Sequence, residues 1–333
     1  MQNLKITLGV IAYNEEKYLP QLLECILKQS YPHQYMQIVL VDGRSEDSTY
    51  SIMTDFETKY KEKFDGIIVC RNEKRTQPAG WNVVIEHMSG DVLIRIDAHA
   101  IIPDNFVESN VKCLESGENV CGGPRTNIID ENTSWKRTIL TAEQSMFGSG
   151  IAPYRRASAK QYVKSVFHAA YRREVIEKVG RFNENLLRTE DNEYHYRVRK
   201  AGYKICYDEN IQSYYQTRNS LKRMIKQKYG NGVWIGKTSL ITPQCLSLYH
   251  FVPGVFVGCL FLSAMVKVVF GMNLLWKLVV YPYSFVCAVL TVLCWIKDKF
   301  LLTDLCLIVI FPILHISYGV GTVMGLTKET IKK

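Results

Sequence analysis

Apolar and polar positions alternate in two different ways along the chain. Up to about residue 240, short β-branched apolar runs are separated by polar stretches whose apolar residues recur at helical spacing. The apolar runs predict strands at 6–12, 38–41, 66–70 and 91–96. The stretches between them predict helices at 18–27, 49–60 and 78–88. This repetition indicates an α/β fold, with a parallel sheet and helices on both of its faces.

From residue 248 onwards the pattern is almost continuously apolar. Three stretches, at 248–270, 275–296 and 301–325, each approach the roughly 20 residues that a membrane-spanning helix needs. Three spans would place the lysine-rich tail 328–333 outside the cell, against the positive-inside rule. Two spans, or a re-entrant first pair, would keep the tail inside. These arrangements stay open. His315, inside the third stretch, is either a polar functional group or a packed, hydrogen-bonded side chain.

The segment between the two regions is basic. The formal net charge of the chain is +9, and six basic residues with no acidic one lie between 218 and 237. Leu221, Met224, Ile225 and Tyr229 fall on one face of a helix there. We expect an amphipathic helix on the cytoplasmic bilayer surface, with an ordinary solvated helix as the alternative. No nucleic-acid-binding motif accompanies the charge, which argues against a nucleic-acid partner.

Cysteine usage and the first residues indicate the compartment. Ten cysteines are scattered without a C-x-x-C pair or zinc spacing, which predicts reduced thiols in a reducing compartment. The first residues lack the apolar region of a secretion signal. We therefore expect the first domain in the cytoplasm and the protein at the cell membrane.

Polar side chains follow three of the four predicted strands. Asn14 and Glu15 follow the first strand, Asp42 the second, and Asp97 with His99 the fourth. Because ligands collect at the carboxyl ends of parallel strands, these groups are expected to line one crevice. A nucleotide suits them, since its base and ribose present N–H and O–H donors that carboxylates accept. Each acid alone is commonly a turn or cap residue, but three at successive strand ends favour a nucleotide site.

Asp97 and His99 are candidate metal ligands. On an extended chain, residues two apart direct their side chains from the same face. One oxygen and one nitrogen ligand suit Mg²⁺ or Mn²⁺ in contact with a phosphate. The alternative is a capping Asp beside a solvated His. No G-x-G-x-x-G follows the first strand and no G-x-x-x-x-G-K-[ST] occurs, so a dinucleotide fold and a P-loop are disfavoured.

A second acidic pair, Glu190 and Asp191, opens a helical stretch that stops near Gly202. Acids at a helix start can simply complement the positive end of the helix dipole. They can also place one carboxylate over the crevice as a general base. Residue patterns alone leave both interpretations open.

Several segments together resemble a known family. They are 10–15 with its Asn-Glu turn, 39–49 with Val-Asp-Gly-Arg-Ser, 71–91 ending in Ser-Gly-Asp, 95–99, and 189–191 with Thr-Glu-Asp. In order and spacing these segments resemble family-2 glycosyltransferases with the GT-A fold, from Ile6 to about Lys237. The segments 95–99, 121–124 and 315–321 are most similar to the succinoglycan-type glucosyltransferases of exopolysaccharide assembly.

The resemblance implies a domain plan and an activity. It implies a GT-A catalytic domain at 1–215, a basic interface helix at 216–240 and a membrane domain of two to three helices at 241–333. The implied activity is inverting transfer from a nucleotide sugar, a UDP-hexose, to a lipid-linked or growing glycan. The implied setting is cell-surface polysaccharide or capsule synthesis, with Mg²⁺ or Mn²⁺ as cofactor. Membrane lipid and other assembly enzymes are implied partners.

The resemblance also implies residue roles. Asp191 would be the catalytic base, and Glu190 would orient it or the acceptor. The implied donor-binding residues are Ala12, Tyr13, Glu15, Asp42, Arg75 and Asp97. Asp97 and His99 would bind the metal, with His99 where the family more often has Asp. Gln227 and Trp234 are faint candidates for contacts with the acceptor or the diphosphate. Gly43 replaces a second Asp, and Gln216 stands where many relatives have His.

Other readings remain. A processive polysaccharide synthase and a polyprenyl-phosphate glycosyltransferase are the enzymatic alternatives. A non-catalytic membrane scaffold with a nucleotide-binding fold is the alternative of another class. The Gly-rich, basic segment 147–156 is either a lid over the donor or acceptor, or a surface loop.

Overall fold

The computed structural model describes residues 3–148, 158–217 and 220–327. The chain forms two compact units. The first, called the catalytic unit below, comprises Met1–Thr126 and Pro153–Gln216. The second, called the helical unit, comprises Asn127–Ala152 and Thr217–Lys333. Most of the candidate lid 147–156, from residue 149 on, and the tail 328–333 lie outside the described residues.

The catalytic unit is built on a mixed sheet. Its strands are β1 Ile6–Ala12, β2 Met36–Asp42, β3 Gly66–Arg71, β4 Val92–Asp97, β6 Val120–Gly123, β8 Gln161–Val163, β9 Phe167–Arg172 and β10 Ile205–Tyr207, in the spatial order β3-β2-β1-β4-β9-β6-β10-β8. β1 pairs in parallel with β2 and β4, and β2 with β3. β9 enters antiparallel between β4 and β6. A smaller sheet has the order β5 Ala100–Ile101, β11 Ser213–Gln216, β7 Arg125–Ile128.

Helices cover both faces of the sheet. They are α1 Leu19–Leu27, α2 Thr49–Tyr60, α3 Gln77–His87, α4 Phe106–Glu115, α6 Arg173–Val179 and α7 Glu190–Lys200. β2 is buried along its whole length, as expected for a strand packed on both faces. Leu40 belongs to the core on one face and Val41 to the core on the other. The predicted strands and helices up to β4 are confirmed, each within two residues of its predicted ends.

The helical unit contains α5 Ser134–Gln144, α8 Leu221–Ile241, α9 Val252–Phe270, α10 Leu274–Lys297 and α11 Leu307–Thr327. Three segments are long and apolar enough to cross a membrane: Val252–Phe270, Leu274–Lys297 and Leu302–Thr327. They confirm the three apolar stretches read from sequence. Met224 of α8 is fully buried in a core with α5, α10 and α11, and Leu221 and Ile225 pack against that core. Protein therefore covers much of the apolar face of α8.

Glycines let α8 and α11 pack at backbone distance. Gly232 and Gly236 of α8 lie against Tyr318 and Thr322 of α11. A Cβ on Gly236 would also lie 2.9 Å from the Gly325 Cα, and the neighbouring atoms are backbone rather than flexible side chain. Any side chain there must push the two helices apart.

Gly236→Ala should therefore destabilise the helical unit by about 1–3 kcal/mol through overpacking. Gly258→Ala on α9 is the matched control, because a Cβ there meets nothing within 4 Å. In an exposed helix, Ala is more favourable than Gly by roughly 0.5–1 kcal/mol. Thermal unfolding in detergent should give a lower Tm for Gly236→Ala and an unchanged or higher Tm for Gly258→Ala. Equal shifts in the same direction would show that the helices are not in close contact.

Candidate functional site

The turns after β1 and β2 form one interlocked edge. Asp42, 1% exposed at the end of β2, accepts the backbone N–H groups of Arg44 and Ser45, both at 3.1 Å. Asn14 Oδ1 accepts the backbone N–H of Glu46 at 2.8 Å. Both Asn14 and Arg44 have left-handed backbones, with φ of 53° and 63°. Asp42 thus holds its own turn.

Three further predicted donor-binding residues belong to this edge. The Ala12 carbonyl accepts the Gly43 N–H at 2.7 Å, which ties the two turns together. The Tyr13 ring is 48% exposed, so one face is available for stacking. Arg75, also left-handed with φ of 57°, places Nη1 at 3.6 Å from Glu46 Oε1. The Arg75 guanidinium therefore lies at the same edge as Asp42 and Glu46.

The metal motif does not continue as a strand. β4 ends at Asp97, and residues 98–99 form a turn before β5. The expectation that Asp97 and His99 project from one face of an extended chain is therefore wrong. His99 Nδ1 lies 2.9 Å from Glu15 Oε1, and the His99 ring packs edge-on against Tyr215 at 4.7 Å. The predicted residues Glu15 and His99 are thus brought into direct contact.

Asp97 is surrounded by side chains that favour its ionised form. Its Oδ2 is 3.4 Å from Nε2 of His168, a residue of β9. Burial raises the pKa of Asp97. The contact with His168, together with His99 and Arg125, has the larger and opposite effect, so the pKa of Asp97 lies well below its usual range. Asp97 is therefore ionised at any pH at which the protein works.

Arg125 forms part of this surrounding. Its guanidinium lies between the rings of Phe167 and Tyr215, 3.9 Å from each centroid. Arginine stacks in this way while keeping its charge. Neither Arg125 nor His168 was singled out by sequence, because their positions depend on β9 pairing with β4 and on β11 pairing with β5 and β7.

Asp191 is held by a buried arginine. Arg95, 6% exposed on β4, donates through Nη1 to Asp191 Oδ1 at 2.6 Å. The guanidinium also stacks over Trp81 at 4.2 Å and Phe182 at 4.7 Å. Since Arg95 and Asp97 are two apart on one strand, they project from the same face. Asp191 at the start of α7 is thereby attached to the face of the sheet that carries Asp97.

Glu190, the neighbour of Asp191, is almost completely buried. Burial, together with the negative charge of Asp191, raises the pKa of Glu190 well above its usual range. Its Oε2 has no hydrogen-bond partner among the residues that the structure describes. The two adjacent carboxyl groups thus differ in character: Glu190 can hold a proton at neutral pH, and Asp191 is paired with a cation.

A buried, neutral histidine of α7 attaches this helix to its neighbours. His195 lies between Tyr171, whose hydroxyl is 2.7 Å from Nε2, and Ser165, whose hydroxyl is 2.8 Å from Nδ1. Burial lowers the pKa of His195 to about 4. This side chain is uncharged at neutral pH and fixes the helix that carries Asp191.

Arg95→Lys should keep the positive charge and lose the planar stack and the geometry of the 2.6 Å hydrogen bond. We expect kcat to fall by about 10²-fold, because small displacements of a reacting group cost that much. The KM for the donor should change little. Arg181→Lys, in an exposed pair with Glu86, is the control and should be neutral. Equal steady-state constants for Arg95→Lys and wild type would show that Asp191 needs no such support.

Comparison with known proteins identifies the family. Residues 7–180 match the sequence model of the family described as glycosyl transferase family 2, which is more than half of the chain. The chain belongs to glycosyltransferase family 2. The resemblance read from the sequence is thereby confirmed.

Two curated relatives and one solved structure illustrate the similarity of this family-2 glycosyltransferase. A dolichyl N-acetyl-alpha-D-glucosaminyl phosphate 3-beta-D-2,3-diacetamido-2,3-dideoxy-beta-D-glucuronosyltransferase of Methanococcus voltae is 30% identical over 233 residues, 68% of this chain and 71% of the relative. The succinoglycan biosynthesis protein ExoA of Rhizobium meliloti is 30% identical over 223 residues, 66% of this chain and 65% of the relative. A mannosyltransferase of Pyrobaculum calidifontis, solved with GDP-Man and Mn²⁺, has a TM-score of 0.64 at 16% identity, covering 97% of this chain and 88% of that one. The last similarity shows the GT-A fold alone.

The family-2 glycosyltransferase has the outline of a metal site. No group of three or more His, Cys, Asp or Glu side chains is arranged around a common cation position within residues 3–148, 158–217 and 220–327. A cation that also binds a diphosphate, however, needs only one or two protein ligands. His99 Nε2 and His168 Nε2 are both buried without a hydrogen-bond partner among the described residues. His168 Nε2 and the Asp97 carboxylate, 3.4 Å apart, are donor types that a divalent cation binds.

Other predicted residues lie in the helical unit. Gln227 and Trp234 are on α8, and the Lys237 ammonium stacks over the Trp234 ring at 4.7 Å. His315 Nε2 donates to the Phe147 carbonyl, and Nδ1 lies 2.8 Å from the Tyr283 hydroxyl. His315 is thus the packed, hydrogen-bonded histidine of the two alternatives.

Proposed function

We propose that this family-2 glycosyltransferase is an inverting hexosyltransferase of cell-surface polysaccharide synthesis. It moves a sugar from a nucleotide sugar, a UDP-hexose, to a lipid-linked or growing glycan. The observation that carries the proposal is the Arg95–Asp191 pair, which places a fixed carboxylate on the same sheet face as Asp97. The names of the Methanococcus and Rhizobium relatives, which include a dolichyl phosphate-linked sugar and succinoglycan, support the acceptor class.

The donor lies along the interlocked edge. Asp42 accepts from the N–H of the base, and Glu15, fixed against His99, is directed to base or ribose. The exposed Tyr13 ring stacks on the base, beside the Ala12 backbone. Arg75 supplies positive charge for the diphosphate. Asp97 and His99 would hold Mg²⁺ or Mn²⁺, which would neutralise charge on the leaving diphosphate.

Asp191 removes the proton of the acceptor hydroxyl. Arg95 engages Oδ1, which leaves Oδ2 for the acceptor proton. As the acceptor oxygen bonds to the anomeric carbon, the bond from that carbon to the diphosphate oxygen breaks and the electron pair leaves with the diphosphate. A single displacement of this kind inverts the anomeric centre. The Glu190 carboxyl, with its raised pKa, keeps a second negative charge away from Asp191 and orients it.

The helical unit anchors the enzyme at the membrane. Residues 1–215 form the catalytic domain, 216–240 the interface helix and 241–333 the membrane domain, with α5 joining the membrane domain. Residues 127–152 leave the catalytic unit and return to it within 26 residues, too few for two crossings of roughly 20 residues each. α5 is therefore on the catalytic side of the bilayer.

Contacts of α5 support placing the end of α10 on the same side of the bilayer as α5. Arg137 of α5 forms an ion pair with Asp298, which directly follows α10. Thr138 donates to Asp304 Oδ1 at 2.6 Å, ahead of α11. α9 and α10 form a hairpin, in which the Phe256 and Tyr283 rings stack at 4.1 Å. The hairpin therefore crosses the bilayer twice or not at all.

α11 packs along α8 and does not cross the bilayer. Its first half packs with Met224, and Gly321 and Gly325 lie against Tyr229 and Val233 further along α8. α8 carries five Lys and Arg in 21 residues, which opposes its insertion across the hydrocarbon core. Two spans, or none, then keep the lysine-rich tail on the cytoplasmic side, as the positive-inside rule requires.

An epitope test checks this orientation. One epitope is inserted at 272, between α9 and α10, and another is appended after residue 333. In right-side-out membrane vesicles, antibody should reach neither the tail epitope nor a catalytic-unit epitope before permeabilisation. Antibody access to the tail epitope in sealed vesicles would show that α11 crosses.

A donor and acceptor screen tests the function. Full-length protein in detergent is incubated with UDP-hexoses and GDP-mannose, and nucleoside diphosphate release is measured. Polyprenyl-diphosphate-linked glycans should stimulate release with one UDP-hexose. Stimulation by bare polyprenyl phosphate instead would identify a polyprenyl-phosphate glycosyltransferase, and a polymeric product would identify a processive synthase. No release with any pair would favour the scaffold.

A further inference from the structure

His168 has a backbone that its residue type rarely adopts. Its φ is 43°, in the left-handed region, although it sits in β9 between two strands of the sheet. A non-glycine residue held in this way costs of order 1–3 kcal/mol, and such residues cluster at ligand sites. The imidazole of His168 faces Asp97, at the end of β4.

The two ring nitrogens of His168 have different surroundings. Nδ1 lies 2.9 Å from the Ser213 hydroxyl. Nε2 faces Asp97 Oδ2 at 3.4 Å, makes no hydrogen bond with a described residue, and belongs to a side chain that is only 4% exposed. A ring whose one nitrogen is fixed by a hydroxyl or carboxylate, while the other is left bare, is the usual arrangement of a metal-binding histidine.

The separation suits a shared cation. With ligand distances of roughly 2.1–2.2 Å, two atoms 3.4 Å apart subtend about 105° at the metal, between octahedral and tetrahedral angles. His99 shares this arrangement, since Nδ1 pairs with Glu15 and Nε2 is bare among the described residues, but only His168 is in a left-handed backbone beside Asp97.

We propose that Asp97 and His168 are the principal protein ligands of the divalent cation, with His99 a secondary contributor. This inference deepens the proposed function, on which its nucleotide partner rests. A carboxylate oxygen together with an imidazole nitrogen favours Mn²⁺ over Mg²⁺, which prefers oxygen ligands alone. The site therefore takes Mn²⁺ with a nucleoside diphosphate, and Ser213 is a positioning residue that fixes the His168 ring.

The test measures Mn²⁺ binding rather than turnover. Free Mn²⁺ is followed by electron paramagnetic resonance during titration of the full-length protein in detergent, with and without UDP. His168→Asn is the main variant, because Asn tolerates the left-handed backbone better than other side chains. His99→Asn and Ser213→Ala probe the neighbours, and His87→Asn, an exposed histidine on α3, is the matched control.

His168→Asn should weaken Mn²⁺ binding by about 10²-fold or more, and Ser213→Ala by about 10-fold. His99→Asn should weaken Mn²⁺ binding less than His168→Asn does, and His87→Asn should leave it unchanged. In EDTA, the Tm of His168→Asn should lie within a few degrees of the wild-type Tm. Wild-type Mn²⁺ affinity in His168→Asn, or a greater loss in His99→Asn, would overturn the proposal.

The two proposals fail separately. If wild type transfers sugar and the His168 variant binds Mn²⁺ normally, the proposed function stands and the ligand assignment falls. If Mn²⁺ binding depends on His168 but no donor supports transfer, the ligand assignment stands and the proposed function falls.

Discussion

Asp191→Asn should reduce kcat by about 10²–10⁴-fold, the usual contribution of a positioned general base. The amide keeps the size of the side chain and its contact with Arg95, but it cannot take the acceptor proton. Donor affinity should change little, because the predicted donor contacts lie at the ends of β1, β2 and β4. Steady-state kinetics give the loss, and calorimetric titration with UDP and Mn²⁺ gives the affinity.

Asp55→Asn, on the exposed face of α2, is the matched control and should leave both quantities unchanged. A turnover within about threefold of wild type in Asp191→Asn would remove Asp191 from the role of base. The remaining candidate would then be Glu190, the adjacent carboxyl, whose pKa is raised by burial and by the charge of Asp191.

Asp97→Asn should weaken binding of UDP in the presence of Mn²⁺ by about 10²-fold or more, because it removes a charged ligand. In EDTA, by contrast, Asp97→Asn should not weaken UDP binding. Asp97 is the negative charge among His168, His99 and Arg125, so its removal leaves that surrounding more positive toward a diphosphate. UDP binding without metal should be equal to wild type or tighter.

This reversal separates a metal ligand from a residue that merely shapes the site. A structural defect would weaken UDP binding both with Mn²⁺ and with EDTA. Asp104→Asn, an exposed carboxylate ahead of α4, is the control for the amide substitution. Equal losses with and without metal in Asp97→Asn would contradict the metal assignment.

Much of the architecture could be predicted because it is encoded locally. β1 to β4 are apolar runs in the sequence because both faces of the sheet are covered by helices. The three apolar helices are continuous apolar stretches. The polar groups at strand ends could be found for the same reason: they end apolar runs. β9 escaped prediction as the strand beside β4, because a strand's neighbour is a long-range property.

The parts of the site that were missed depend on such long-range contacts. Arg95 and Asp191 are separated by 96 positions, and His168 meets Asp97 only because β9 pairs with β4. One local signal was nevertheless present. A charged residue inside the apolar run 92–96 must find a partner when the strand is buried, so Arg95 could have been expected to bind a carboxylate.

The turn at 98–99 is a different kind of miss. The residue alternation of a strand predicts side-chain direction only while the strand lasts. β4 ends at Asp97, so His99 turns to Glu15, and the second imidazole near Asp97 comes from β9 instead.

The anomeric configuration of the product tests the central claim most directly. The claim is that one carboxylate, Asp191, activates the acceptor for a single displacement on a metal-bound nucleotide sugar. The product formed from an α-linked UDP-hexose is examined by proton nuclear magnetic resonance at the anomeric position. The account predicts a β-linked sugar, and an α-linked product would contradict it.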